Sequence, residues 1–381
     1  MNSRIYLDYC ATTPIHSSVR EKMSRALDAD FGNPSSMHWA GKDSRQLMTQ
    51  ARMDVAEGLK CRPDEITFTS GATEADNLAL FGTLHLFPPT KAHLVTSSIE
   101  HHAVLHTAAQ LEREGYSVTY LPVDENGIVN PEDIRGAIRP DTKLISIMYV
   151  NNEVGSIQPI AEIGRIAREY NVPFHTDAVQ AMGLYDVNVD DLSVDMLSLS
   201  AHKIYGPKGI GALYVRSGFE LVPILVGGPQ EHSLRAGTEN VPGIVALGAA
   251  MNLVCQHRAD ERARLSGLRN YLINGLQALG VAVIVNGLEE NTASHILSIS
   301  FVGLDAEMML IRLNGEGIAV SLGSACNSKS IEPSHVLTAM SLPREQIEST
   351  LRISLGMPTT QEELDLFLKA VAHVLPLVKV Q

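Results

Sequence analysis

The fold is decided by a stretch that reads Ser198-Leu199-Ser200-Ala201-His202-Lys203 and continues as Ile204-Tyr205-Gly206-Pro207-Lys208-Gly209-Ile210-Gly211. The apolar run at residues 196–199 predicts a buried strand, and the Pro/Gly turn that follows cannot continue as a helix. Residues 212–215 predict a second strand. Lys203 is therefore expected at a strand end, where an α/β protein would place a lysine that forms a Schiff base. An exposed turn lysine is the alternative, and this stretch alone favours it.

Strand and helix patterns alternate from about residue 50 to residue 215. Strands are predicted at residues 66–69, 93–96, 143–150 and 172–175. Helices are predicted at residues 75–84 and around 104–111 and 160–170. Such alternation predicts a mainly parallel sheet with helices on both sides, and a site beyond the carboxyl ends of its strands.

The pattern changes near Arg258. Five leucines stripe one face of a long helix, at positions 265, 268, 272, 276 and 279. Residues 297–301 and 351–355 alternate strictly, which predicts half-exposed antiparallel strands. Thr360 and Glu363 form a capping-box pattern before the final helix. We therefore predict a small α+β domain with a boundary near residue 260.

The composition is ordinary for a soluble globular enzyme. The 381 residues should form two domains, or one large and one small domain, and 45% of them are hydrophobic and 19% charged. A net charge of −13 argues against nucleic-acid or anionic-membrane surfaces. Neither a membrane-spanning run nor a signal-peptide pattern is found. The four cysteines are scattered without a C-x-x-C pair, so we expect reduced thiols and a cytoplasmic location.

Two strand ends carry residues suited to a bound anion or ring. Thr69-Ser70-Gly71-Ala72-Thr73-Glu74 joins a strand to a helix and predicts an anion site, with helix capping by Ser70 or Thr73 as the alternative. Asp177 ends a buried strand, and a carboxylate at that depth needs a partner. A pyridinium N–H would serve, and Gln180 could reach a neighbouring phenolic oxygen. Metal binding with His175, or a turn, is the alternative.

Further candidates follow other strands. His101 or His102 could stack on an aromatic cofactor or move protons, although a satisfied polar residue or a metal ligand is also open. Asn152 could donate to a cofactor oxygen or a substrate carboxylate, or simply form a turn. Cys326 lies on a small, polar segment that favours an accessible thiol. Arg352 could bind a carboxylate, with an exposed strand arginine as the default.

Taken together, these residues resemble the cysteine desulfurases, pyridoxal-phosphate enzymes of the aspartate-aminotransferase fold type, in their nitrogenase and housekeeping iron–sulfur branch. The strongest motifs are Phe31-Gly32-Asn33-Pro34-Ser35-Ser36, residues 70–74, residues 175–180, the Lys203 stretch, Arg235-Ala236-Gly237-Thr238-Glu239-Asn240 and the Cys326 segment. The resemblance implies fold type I. A large domain (14–259) would hold a mainly parallel seven-stranded sheet, and residues 1–13 and 260–381 would form the small domain.

The resemblance also implies the role of each site residue. Lys203 would hold pyridoxal 5'-phosphate as an internal aldimine and move the substrate's Cα proton, and Asp177 would keep the pyridine nitrogen protonated. Gln180 would contact the phenolic oxygen, while His101, a catalytic residue, would stack on the ring. The phosphate would be bound by Ala72, Thr73, Ser200, His202 and, from the other subunit of a homodimer, Thr238. The substrate would be oriented by Asn33, Asn152 and Arg352.

In such an enzyme, Cys326 would take sulfur from L-cysteine, release L-alanine and pass the persulfide to an acceptor protein. That acceptor could serve iron–sulfur assembly, tRNA thiolation or DNA sulfur modification, and the end at Gln381 leaves its identity open. No metal, membrane or direct nucleic-acid partner is expected. An aminotransferase or β-eliminating lyase of the same fold, or a non-catalytic scaffold, is the alternative. The sequence departs from the family pattern at Cys10, Ala201, Leu322 and Asn327.

Overall fold

The computed structural model describes residues 4–323 and 333–378. Its strands are β1 (Ile5–Tyr6), β2 (Ile66–Thr69), β3 (His93–Ser97), β4 (Ser117–Leu121), β5 (Thr142–Ser146), β6 (Phe174–Asp177), β7 (Met196–Ser200), β8 (Gly211–Val215), β9 (Val283–Asn286), β10 (Ile296–Phe301), β11 (Ile318–Ala319) and β12 (Thr350–Ser354). Its helices are α1 (Ser17–Asp28), α2 (Trp39–Leu59), α3 (Ala72–Leu84), α4 (His102–Arg113), α5 (Pro131–Ala137), α6 (Ile160–Glu169), α7 (Val241–Ala278), α8 (Ala306–Gly315), α9 (His335–Ala339), α10 (Arg344–Glu348) and α11 (Gln361–Val374).

The main sheet has seven strands in the described part of the chain, in the order β2-β8-β7-β6-β5-β3-β4. Neighbours from β7 to β4 pair in parallel, whereas β8 is antiparallel to both β7 and β2. The predicted mainly parallel sheet is therefore confirmed. Because β7, β6, β5 and β3 lie side by side, the residues that follow them meet at one edge.

Most strand and helix predictions agree with the structure to within a few residues. The exception is the run at residues 143–150, because β5 ends at Ser146. Beyond it, the amides of Ile147 and Tyr149 still donate to the carbonyls of His175 and Asp177, at 3.2 and 2.8 Å. The apolar run therefore continues beside β6 as irregular backbone and leads directly to Asn152.

The second sheet is antiparallel, in the order β12-β10-β9. The prediction that its strands are half-exposed is wrong, since every residue of β10 and β12 is buried. The amide of Asn286 donates to the hydroxyls of Ser298 and Ser300, at 3.1 and 3.0 Å. Gln346 of α10 donates in turn to Asn286, at 2.7 Å. Neighbouring side chains thus replace water on the polar face.

Helix α7 is 38 residues long and runs through the predicted boundary near residue 260. Its residues up to Val254 pack in the core around the main sheet, and its residues from Leu265 onward pack in the core around the second sheet. Strand β1 pairs with β11, and Ile5 belongs to the second core. The division into 14–259, and 1–13 with 260–381, remains an interpretation of this arrangement.

The final helix begins as the sequence predicts. Thr360 accepts the backbone N–H of Glu363, whose side chain accepts the backbone N–H of Thr360. Within residues 4–323 and 333–378, no helix combines the length and apolar character needed to cross a membrane.

Candidate active site

A cavity of about 500 Å³ opens beyond the carboxyl ends of the central strands. Most of the predicted site residues line it, namely Ala72, Thr73, His101, Asn152, Asp177, Gln180, Ser200, His202, Lys203 and Arg352. Cys326 and Asn327 lie outside the described residues. The main sheet and strand β12 of the second sheet together bring side chains to one cavity that are up to 280 positions apart in the sequence.

Lys203 ends a single turn of 3-10 helix that follows β7 directly. Its Nζ donates to the backbone carbonyls of Cys10 and Ala11, the second at 3.0 Å. Burial lowers the pKa of this amine, and the nearby Arg352 charge acts in the same direction. The exposed-turn alternative is therefore wrong. A lowered pKa increases the neutral fraction of the amine, which is the form that attacks a carbonyl group.

Asp177 is the last residue of β6, and its carboxylate accepts the backbone N–H of Val179 at 2.9 Å. Burial raises its pKa to about 6, against the opposing effect of the Lys203 charge. At neutral pH it is therefore a buried anion facing the cavity, as a protonated ring nitrogen requires.

The metal alternative for His175 finds no support in its surroundings. Its two ring nitrogens bond to the hydroxyls of Ser146 and Ser198, at 2.9 and 3.0 Å. Burial lowers the pKa of His175 to about 3. Across the described residues, no group of three or more His, Cys, Asp or Glu side chains is arranged to hold a metal ion. His175 is instead a neutral, satisfied imidazole within the sheet.

The predicted anion site would lie at the start of α3, whose first residue is Ala72. Gly71 is the N-cap and no side chain caps this helix, so the alternative of capping by Ser70 or Thr73 is wrong. The N–H of Ser70 donates to Glu74 at 2.8 Å, and Glu74 pairs with Arg235 at 2.9 Å. The first-turn N–H groups of α3 thus remain for a ligand, where the helix dipole favours an anion.

His101 is the N-cap of α4, and its Nδ1 accepts the N–H of Ala103 at 3.1 Å. Burial lowers the pKa of His101 to about 4, with Lys203 adding to the effect. The ring is therefore neutral at physiological pH, which suits stacking on another ring. Its neighbour His102 instead packs against His106 and His335, with ring centroids 4.8 and 4.9 Å apart.

Arg352 is only 2% exposed, so the default of an exposed strand arginine is wrong. Its Nη2 donates to Asp8 at 2.8 Å, and its Nη1 donates to the carbonyls of Asn152 and Gly323, at 2.9 and 3.2 Å. Its Nε is buried and has no hydrogen-bond partner among the described residues. Arg352 also lines the cavity, where a guanidinium could bind a carboxylate.

Two predicted residues lie away from this cavity. Asn33 accepts the N–H of Ser35 at 2.9 Å in a local turn. Thr238 lines a separate cavity of about 200 Å³ together with Arg235. Both are exposed in the single chain, and their expected contacts with substrate and cofactor remain predictions.

Residues of the N-terminal segment hold site residues through contacts that the sequence did not indicate. The carbonyls of Cys10 and Ala11 hold Lys203, and Gln180 also donates to Cys10, at 3.1 Å. Asp8 holds Arg352. These contacts use backbone oxygens and one carboxylate far from the rest of the site in sequence, so no local pattern reveals them.

Fold and site together define an enzyme of a family whose sequence pattern, described as Aminotransferase class-V, matches residues 5–367; the chain belongs to this family. Within it, the relatives place the chain among the cysteine desulfurases, which depend on pyridoxal phosphate. Cysteine desulfurase IscS of Dictyoglomus turgidum is 46% identical, covering 98% of this chain and 95% of the relative.

Solved structures agree with this assignment. A structure described as a NifS-like protein has a TM-score of 0.93 and 38% identity, covering 98% of this chain and all of that one. A structure described as SspA in complex with cysteine has a TM-score of 0.83 and 42% identity, covering 93% of this chain and 99% of that one. The prediction of fold type I is thereby confirmed.

Proposed function

We propose that this chain converts L-cysteine and the thiol of Cys326 into L-alanine and a Cys326 persulfide, which it then passes to an acceptor protein. The C–S bond of the substrate breaks, its sulfur bonds to the cysteine thiolate, and the substrate's Cβ takes up a proton. The observation that carries the proposal is the meeting of Lys203, Asp177 and Arg352 in one cavity. An amine, a buried anion and a carboxylate-binding guanidinium are the groups that this chemistry needs.

The residues present fit pyridoxal phosphate. The uncapped start of α3, with Ser200 and His202 on the same cavity, suits the phosphate. Asp177 would pair with the ring nitrogen, His101 would stack on the ring, and Lys203 would bind the aldehyde. When bound, the cofactor supplies an electron sink that stabilises negative charge at the substrate's Cα.

The chain's own residues would orient the substrate and move its protons. Arg352 lines the cavity and would bind the substrate carboxylate, while Asp8 and two backbone carbonyls hold its guanidinium in place. Asn152 lines the cavity beside it. The lowered pKa of Lys203 suits an amine that takes the Cα proton, because such a base works best when its pKa is near the operating pH.

Cys326 receives its role from the family resemblance. The described chain stops at Gly323 and resumes at residue 333, and both Gly323 and His335 line the cavity. Residues on both sides of the stretch 324–332 therefore line the proposed substrate site, which supports Cys326 as the sulfur acceptor.

We further propose a homodimer in which Thr238 of one subunit reaches the cofactor phosphate of the other. Four large apolar side chains support it, because they are 69–90% exposed in the single chain: Phe31, Met37, Trp39 and Val226. Such exposure is typical of a contact surface. A cytoplasmic location is supported by the unpaired thiols of Cys10, Cys61 and Cys255.

Two variants test the function. Borohydride should fix the cofactor's colour onto Lys203, and Lys203→Ala should lose this labelling. Cys326→Ser should keep the colour and release no sulfide from L-cysteine. A Cys326→Ser variant as active as the parent would refute the persulfide mechanism. Transamination of a keto acid without sulfide release would identify an aminotransferase, and a protein that takes up no cofactor would identify a scaffold.

A further inference from the structure

The loop that precedes β8 brings a second lysine to the cavity. The N–H of Ala201 donates to the carbonyl of Ile210 at 3.1 Å, which closes the loop at its base. Both of these residues are buried, whereas Lys208 and Gly209 between them are exposed. Gly209 has a φ of +83°, a conformation that favours glycine. Lys208 lines the cavity of about 500 Å³, so the loop carries a cation to the cavity wall.

This loop lies beside the start of α3. Strand β8 begins at Gly211, which pairs with Thr69 at the end of β2. The turn that leads into α3 follows Thr69 directly, because α3 begins at Ala72. Ser70 of that turn and Gly209 of the loop both line the large cavity and the cavity of about 200 Å³. Lys208 therefore belongs to the end of the cavity where the phosphate is expected.

The charge of Lys208 is not balanced by an ion pair within residues 4–323 and 333–378. Glu74 lines the same cavity, but its carboxylate already pairs with Arg235 at 2.9 Å. His202 also lines the cavity, and burial lowers its pKa to about 4, with the Lys208 charge adding to the effect. The imidazole is therefore neutral at pH 7, and Lys208 supplies the positive charge next to it.

We infer that Lys208 is a further binding residue for the cofactor phosphate, and that its charge makes the cavity select the phosphorylated cofactor over the unphosphorylated one. This inference rests on the proposed function, which places the phosphate at the start of α3 beside Ser200 and His202. A phosphate monoester carries nearly two negative charges at pH 7. Neutral donors do not balance these charges, whereas an ammonium group attracts them even across solvent.

The test titrates the full-length chain, freed of cofactor, with pyridoxal 5'-phosphate and with pyridoxal, and follows absorbance. Lys208→Met removes the charge and keeps an unbranched side chain, whereas Lys208→Arg keeps the charge. Lys369→Met is the matched control, because Lys369 is an exposed lysine of α11 that does not line the cavity. Each titration is repeated at ionic strengths of about 0.02 and about 0.5 M, since salt screens the interaction of exposed charges.

We expect Lys208→Met to weaken the binding of pyridoxal 5'-phosphate by about three- to tenfold at low salt, because an exposed lysine then no longer attracts a group of nearly two charges. Its Kd for pyridoxal should equal the parent's, and the loss should shrink at high salt. Lys208→Arg and Lys369→Met should match the parent for both ligands.

A Lys208→Met variant that keeps the parent's preference for the phosphorylated ligand overturns the inference. So does a variant that binds both ligands equally less well, because Lys208 would then support the pocket and not the phosphate. If the parent itself binds pyridoxal as tightly as pyridoxal 5'-phosphate, the proposed phosphate site is wrong, and the inference fails with it.

Discussion

Replacing Glu100 by glutamine should stabilise the protein increasingly as the pH rises. Glu100 is fully buried, and its Oε1 accepts the Ser97 hydroxyl at 2.6 Å and the Met148 N–H at 3.0 Å. Its Oε2 has no partner among the described residues. Burial raises the pKa of Glu100 to about 8, and the Asp177 charge adds to the effect. The folded protein therefore keeps this side chain neutral at pH 7.

The sign and size of this change in stability follow from proton linkage. In the unfolded chain Glu100 ionises above its usual pKa of 4.5, so unfolding releases a proton between pH 4.5 and about 8. Stability is therefore lost as the pH rises through this window. The interval corresponds to at most about 5 kcal/mol. Glutamine does not ionise, so the stability of the variant should not fall with pH in this way. Its unpartnered amide group replaces the unpartnered Oε2 of the carboxyl group.

Thermal unfolding of the cofactor-loaded enzyme at pH 5, 6, 7 and 8 measures the effect. With about 2 cal/mol/K of unfolding entropy per residue, the full effect would raise the midpoint of the variant over the parent by at most about 6 °C at pH 8. The difference should shrink to near zero toward pH 4.5. Glu57→Gln, on the exposed surface of α2, should give no such trend. A Glu100→Gln difference that is constant with pH would refute a neutral Glu100.

Three further results are expected. Lowering the pH from 7 to 5 should weaken cofactor binding, measured by absorbance, by about tenfold. The reason is that Asp177 takes up a proton near its pKa of about 6 and no longer attracts a ring N–H. In the Asp177→Asn variant, the cofactor should bind weakly at pH 7, and its affinity should hardly change with pH. Arg352→Lys should raise the KM for L-cysteine about 10–100-fold with a smaller change in kcat, since a lysine cannot replace the fork that binds a carboxylate; an unchanged KM contradicts the assignment. Arg52→Ala should destabilise the fold by about 3–5 kcal/mol, because it strands the buried Glu231, now held at 2.6 and 2.9 Å; a midpoint shift below about 1 °C would argue against this.

The strand ends could be predicted because their chemistry is local. Asp177 and Lys203 each stand at or just after a short apolar run, and a parallel sheet brings such positions to one edge. The sequence itself shows that each of these residues lies close to the end of a strand. The helix that starts at Ala72 was equally visible, although only the structure shows that no side chain caps it.

Arg352 could not be placed from its own neighbourhood. Alternating polar residues look half-exposed, yet the structure buries the guanidinium because Asp8, 344 positions earlier, supplies a charge partner. The serines of β10 also look exposed from the sequence. In the structure Asn286 donates hydrogen bonds to them, and Gln346 donates in turn to Asn286. A periodicity reports which residues share a face, and it does not report what covers that face.

The 38-residue helix α7 should affect the thermal unfolding of the protein. It extends for roughly 57 Å at 1.5 Å per residue, and each half is embedded in a different apolar cluster. If either apolar cluster unfolded, half of this continuous helix would lose the tertiary contacts that keep it helical. Calorimetry should accordingly record a single endotherm, with no separate peak for the unfolding of the core around the second sheet.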